Sequence, residues 1–116
     1  MVSAEMIRGM VDILILSCLV NQPSYGYEIS QMIAAHSGSG YLIKETTLYS
    51  AFRRLEKSGD VESFEGSITH GRSRTYYRLT AQGKQTLADK RAEWQQVREI
   101  VDAFVLRTPQ LVPVSN

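Results

Sequence analysis

The sequence predicts a mainly α-helical fold carrying one β-hairpin, an α+β arrangement of three short helices, a hairpin and one long helix. Three observations lead there. Apolar residues recur at helical spacing in separate stretches, two β-branched and aromatic runs flank a segment with two glycines, and the last helical pattern runs unbroken from Ala81 to about Arg107.

From Met6 to Val20, the residues Met6, Ile7, Met10, Val11, Ile13, Leu14, Ile15, Leu16, Cys18, Leu19 and Val20 cover almost every direction around a helix. A helix of that kind must be buried on most sides, and in a small domain one side then needs a second subunit to cover it. Asn21-Gln22-Pro23 ends it, because proline disfavours helical geometry in the residue before it. Ser24 is the candidate N-cap of a second helix, Tyr25 to about His36, with Ile29, Met32 and Ile33 on one face. Ser37 to Gly40 reads as a turn and Tyr41-Leu42-Ile43 as a short extended segment. The third helix, Glu45 to Ser58, closes at Gly59 in the C′ position. Leu48, Ala51, Phe52 and Leu55 fall on one side of it, and Thr46, Ser50, Arg53, Arg54 and Lys57 on the other.

Asp60 to Glu65 and Thr75 to Leu79 form the hairpin strands. Adjacent strand residues face opposite ways, so of Tyr76 and Tyr77 one packs inward and one outward. Thr80 caps the last helix, roughly 40 Å long. Its apolar residues Leu87, Trp94, Val97, Val101 and Phe104 are spaced 7, 3, 4 and 3 apart, a heptad-like dimerisation seam interrupted at Lys90. Pro109 and Pro113 mark a frayed tail. The expected units are residues 1–80, 81–108 and 109–116.

The 116 residues carry 13 Lys+Arg against 12 Asp+Glu and are 43% hydrophobic, which describes one soluble domain with a single core. The net charge of +1 gives no overall basic excess, so any nucleic-acid binding depends on local placement of charge. The single cysteine, Cys18, excludes an internal disulfide and fits a reducing, cytoplasmic compartment. The apolar run Val11 to Val20 falls short of the roughly 20 residues a membrane span needs. Met1 to Met10 has only Arg8, balanced by Glu5, and no small-residue cleavage pattern follows, so the N-terminus reads as mature structure. His36 and His70 stand far apart without partners at ligand spacing, so no metal is expected. No nucleophile-base pattern, phosphate loop or dinucleotide fingerprint is present. Glu45, Glu56, Glu62 and Glu65 read as surface charges, so neither an enzyme nor a cofactor is expected.

The element order places a helix-turn-helix before a two-stranded wing: a winged helix followed by an association helix. A helix about 10–12 Å across fits a major groove about 12 Å wide. Thr46, Thr47, Tyr49 and Ser50 would reach base edges, with Arg53, Arg54 and Lys57 on bases or flanking phosphates; the alternative is an ordinary solvated helix face. His70 to Arg78 contains Arg72, Arg74 and Arg78 and no acid, which suits phosphate or minor-groove contact. Arg78 has the alternative of pairing with Glu62 across the hairpin.

Ser24-Tyr25-Gly26-Tyr27-Glu28-Ile29, Thr47-Leu48-Tyr49 through Arg54-Leu55-Glu56-Lys57-Ser58-Gly59, and Gly71-Arg72-Ser73-Arg74-Thr75-Tyr76-Tyr77-Arg78-Leu79-Thr80 resemble the PadR family of bacterial transcriptional regulators, from about Ile7 to Phe104. The resemblance implies a winged helix-turn-helix homodimer that usually represses transcription, its C-terminal helix packing on the partner's N-terminal helix. Carried over by position, the DNA-facing residues are Ser24 and Tyr25, then Lys44, Thr46, Thr47, Tyr49, Ser50 and Arg53, and on the wing His70, Arg72 and Arg74. For Tyr27, core packing is at least as strong a reading as phosphate contact.

Trp94 has two readings. One is plain dimer packing. The other follows from resemblance to multidrug-sensing members, in which a tryptophan at the matching position flanks a pore between subunits and stacks planar aromatic compounds. Ile7, Met10, Leu14, Arg91 and Val97 would then line the pore. Arg98 stands where those sensors often carry an acid, which disfavours cationic ligands, with Asp102 and Asp12 as possible counter-charges. The expectation is a repressor that binds double-stranded DNA as a homodimer at an inverted repeat and is released by an aromatic small molecule. The rivals are a protein-interaction module on the same scaffold and a small-molecule binder without operator recognition.

Overall fold

The structure is a computed structural model, and it describes residues 2–38, 40–66 and 73–113. The expected first helix is broken into pieces. Helix α1 spans Ala4–Ile7, a 3-10 turn covers Arg8–Met10, and helix α2 spans Val11–Cys18. Ser3 caps α1 by accepting the Met6 N–H at 3.2 Å. The break surrounds Gly9, which costs a helix interior about 1 kcal/mol relative to alanine. Helix α2 is the hub of the domain: Val11, Ile15, Leu16 and Leu19 are buried, with Ile15 and Leu16 completely so.

Ser24 is not a helix cap. Strand β1, Ser24–Tyr25, pairs antiparallel with strand β3, Thr75–Leu79, placing Ser24 opposite Tyr77 and Tyr25 opposite Tyr76. Helix α3, Gly26–His36, follows directly. The Ser24 hydroxyl donates to the Glu28 carboxylate in the first turn of α3, so the helix start is fastened from the strand before it. Tyr41 to Ile43 forms no strand; it is an irregular stretch with Ile43 turned into the core.

Helix α4 spans Glu45–Lys57 and buries Leu48, Ala51, Phe52 and Leu55, as the periodicity predicts. Gly59, at φ 87°, ends it; the Gly59 N–H reaches the Glu56 carbonyl and the Asp60 N–H the Leu55 carbonyl. That pair of bonds satisfies two of the carbonyls in the last turn of the helix. Strand β2, Val61–Glu65, pairs with β3, giving the sheet order β1-β3-β2. Tyr77 points inward and stacks on Phe52 at 4.1 Å between ring centroids, while Tyr76 lies on the other face against Phe64 and Tyr25.

Helix α5, Ala81–Val105, begins at Thr80, whose side chain accepts the Gly83 N–H at 2.9 Å. Its first half packs on the domain. Leu87, expected in the dimerisation seam, is 3% exposed and belongs to the core cluster with Ile15, Leu16 and Phe52. From Arg91 outward, nearly every residue of α5 is exposed. Among the described residues no helix is long and apolar enough to cross a membrane.

Candidate nucleic-acid interface

Because the core residues occupy one side of α4, the opposite side is left to solvent. Thr46, Tyr49, Ser50, Arg53 and Lys57 are all exposed and share that face, with exposed Lys44 just before the helix and Thr47 half-buried at its flank. Tyr49 is fixed from below: its ring meets Phe52 edge-on at 5.7 Å, and its hydroxyl lies over Gly26 at the start of α3. A Cβ at Gly26 would stand 2.7 Å from that hydroxyl, so glycine here permits the close approach of α3 to the Tyr49 phenol.

Arg54, expected among the presented cations, is engaged elsewhere: its guanidinium holds Asp12 of α2 at 2.6 Å. Asp12 is thereby removed as a counter-charge for a pore. Arg78 takes its alternative role, pairing with Glu62 at 2.8 Å across the hairpin and lying over the Phe64 ring. Arg74 remains beside the stripe. Its guanidinium covers the Tyr25 ring at 4.4 Å from the centroid, and its carbonyl accepts the Gly66 N–H at 2.7 Å, which fixes the wing backbone at that point. Arg74 and half-buried Tyr25 thus sit together at the start of α3, a juxtaposition that sequence spacing does not reveal.

Two expectations on this surface are corrected. Ser24 is 0% exposed, its hydroxyl already used by Glu28, so it presents nothing to DNA. Tyr27, for which core packing read at least as strongly as phosphate contact, is instead 68% exposed, in the first turn of α3. His70 and Arg72 lie outside the described residues.

The ligand-site residues are not all brought together within one chain. Ile7 and Leu14 line an apolar cleft of about 490 Å³ with Val2, Cys18, Met32 and Ile33. Met10, Arg91, Trp94, Val97 and Arg98 are outside its walls. Arg91 instead donates to the Ser17 hydroxyl at 3.0 Å, tying α5 to α2, and Arg98 lies 3.7 Å from Asp102. Burial pushes the Cys18 thiol above its ordinary pKa, as befits a small apolar side chain in that wall. Trp94, Val97, Val101 and Phe104 are exposed along the outer half of α5, and Ile100, which the heptad-like spacing passed over, is exposed with them. Among the described residues no group of three or more metal-binding side chains is found.

Residues 15–89 match the Transcriptional regulator PadR-like family, more than half of the chain. The chain belongs to the PadR family. A solved transcriptional regulator from Clostridium thermocellum is 47% identical and superposes with a TM-score of 0.82, covering 90% of this chain and 99% of that one. A PadR family transcription regulator from Clostridium difficile is 34% identical, with a TM-score of 0.70 and coverage of 84% and 99%. A transcriptional regulator of Mycobacterium tuberculosis is 33% identical over 98 residues, 84% of this chain and 88% of the relative. The fold is the winged helix of PadR regulators, whose members are transcription regulators and not enzymes. Membership in a family of transcriptional regulators implies DNA binding.

Proposed function

We propose that this PadR regulator represses transcription as a homodimer, setting the α4 helices of two copies into successive major grooves of a pseudo-palindromic operator. Residues 1–80 read DNA, residues 81–108 join the two copies, and 109–116 form a tail. The observation that carries the reading is the exposed stripe Thr46, Tyr49, Ser50, Arg53 and Lys57 on α4, with Arg74 and Tyr25 beside it. Thr46, Thr47, Tyr49 and Ser50 meet base edges; Lys44, Arg53 and Arg74 meet phosphates, together with His70 and Arg72. The exposed apolar residues Trp94, Val97, Val101 and Phe104 support association through α5. A planar aromatic effector stacks on Trp94 between the two copies, near Ile7, Met10, Leu14, Arg91, Val97 and Arg98, and lowers operator affinity by changing the separation of the two α4 helices.

The test is binding of purified protein to a labelled duplex of the DNA upstream of its own coding region, at two salt concentrations with nonspecific competitor. Competitor-resistant binding that weakens steeply with salt supports an operator-reading regulator. Binding no tighter than to unrelated duplex at every salt would count against recognition of that site. For the effector, Trp94→Ala should leave a folded dimer with diminished binding of aromatic ligands by calorimetry; a monomeric or unfolded product would assign Trp94 to packing alone.

A further inference from the structure

Asp60, at the junction between α4 and the wing, is 6% exposed, although aspartate is among the residues least often buried. Three neutral donors converge on the carboxylate. Oδ2 accepts from the Ser58 hydroxyl at 2.7 Å, and Oδ1 accepts from the Thr86 hydroxyl at 2.7 Å and the Gln82 amide at 3.1 Å. Ser58 belongs to the end of α4, whereas Gln82 and Thr86 lie on successive turns of α5. The backbone follows the same course: the Asp60 carbonyl accepts the Thr80 N–H at 3.1 Å, and the Thr80 hydroxyl donates to the Gly59 carbonyl at 2.6 Å. The Gln82 amide also donates to the Ser58 carbonyl. Gly83 closes the contact, since a Cβ there would stand 2.0 Å from the Asp60 carbonyl oxygen.

Asp60 is the buried member of the network, with Thr86 half-buried and Ser58 and Gln82 at the surface, so a displacement that strips the carboxylate of its donors leaves a charge under-satisfied in a poorly solvated place, and that cost stiffens the junction. The end of the recognition helix and the start of α5 are therefore one mechanical piece. Helix α5 has 25 residues, about 37 Å at the usual rise, and its outer half is free of the domain's own core. A tilt of about 10° imposed on that outer half carries the far end of a rod of this length by about 6 Å.

Building on the proposed dimeric reading, we infer that the Asp60 clasp makes α5 a rigid lever on α4, with Asp60, Gln82 and Thr86 as positioning residues that fix the half-site spacing the regulator accepts. None of the three needs to touch DNA. Loosening the clasp lets each winged helix swivel on its own α5, so a dimer then tolerates operators of altered spacing and transmits less of any movement at the α5 seam.

Two measurements separate the clasp from the dimeric reading. In the first, nitroxide labels are placed by Lys57→Cys and Glu99→Cys in a Cys18→Ser background, and the labelled chain is diluted with unlabelled protein so that only the distance within one chain is read. The native clasp should give a narrow distribution and Gln82→Ala/Thr86→Val a broadened one; equal widths overturn the lever. In the second, unlabelled protein is titrated with inverted repeats whose half-site spacing is lengthened by two base pairs. Native protein should lose about tenfold or more in affinity and the double variant less than about threefold, with isolated half-site binding kept within about twofold. An identical spacing penalty in both proteins, or equal weakening on half-site and full operator, overturns the inference. Spacing-independent binding by native protein would sink the dimeric reading alone and leave the distance measurement to decide the clasp. The double variant keeps Asp60 with Ser58, and an unchanged circular dichroism spectrum is the condition for using it; if it unfolds, Asp60→Asn, which preserves the shape and an acceptor for Thr86, is read in the same two assays.

Discussion

Arg54 Nη1 on α4 closes on both carboxylate oxygens of Asp12 on α2, at 2.8 and 2.6 Å. The two partners are unequally placed: the Asp12 side chain is 15% exposed and the Arg54 side chain 57%. Removing the arginine strands a largely buried carboxylate, whereas removing the acid leaves a cation that water reaches easily. Arg54→Met should cost about 1–2 kcal/mol of stability and Asp12→Asn less than about 1 kcal/mol, by urea denaturation. The reverse order would show that the pair is held by something other than desolvation of Asp12.

Leu87 and Phe104 lie on the same helix and should respond oppositely. Leu87→Ala opens a cavity in the domain's own core and should destabilise the fold by about 2–5 kcal/mol. Val101→Asp/Phe104→Asp touches only exposed apolar surface, so the thermal midpoint of the winged helix should change little while sedimentation shifts toward a monomer. A double variant that sediments like native protein would place the self-association surface elsewhere.

Arg74→Ala should weaken binding to every duplex by a similar factor and reduce the slope of log affinity against log salt by about 0.9, as the loss of one phosphate contact predicts. Competition with single-base operator variants checks this. A loss confined to particular base pairs would make Arg74 a reader of sequence.

The Asp60 carboxyl sits below its ordinary value: burial acts to raise it, but hydrogen bonds from Thr86, Ser58 and Gln82 and the charge of Lys90 outweigh that effect. A carboxyl lowered by folding contributes stability above its unfolded value of about 3.9 and loses it as pH falls through the folded value. Between neutral pH and about pH 3, native protein should therefore lose more stability than Asp60→Asn. Parallel acid limbs in urea midpoints for the two proteins would show that this carboxylate does not govern the loss.

The exposed stripe of α4 was legible because one rule governs most of the helix: Leu48, Ala51, Phe52 and Leu55 face in, and nearly all the polar positions face out, Thr47 at the flank being half-buried. Gly59 and Thr80 were equally readable, since each satisfies open backbone groups at a helix end. Strand β1 was hidden because two residues carry no period, and a serine before a helical pattern looks the same whether it caps the helix or pairs with a strand. Leu87 shares its heptad-like spacing with residues facing solvent; periodicity tells that a side chain is covered, not whether its own domain or another chain covers it. The Asp60 network needs Thr86, 26 residues onward, which only the folded wing brings near.

The pairing of Ser24 with Tyr77 and of Tyr25 with Tyr76 gives the molecule a schedule during synthesis. Helix α4 is translated well before the strand that braces it, and a nascent chain reaching only Glu65 has no Tyr77 to stack under Phe52 and no Arg74 to cover Tyr25. Such a chain carries the polar stripe of α4 without the surface that braces it. The braced α4 arrives late and together with its sheet, when β3 threads between β1 and β2, so on the proposed reading a prematurely terminated product is poorly equipped to occupy an operator in place of the whole regulator.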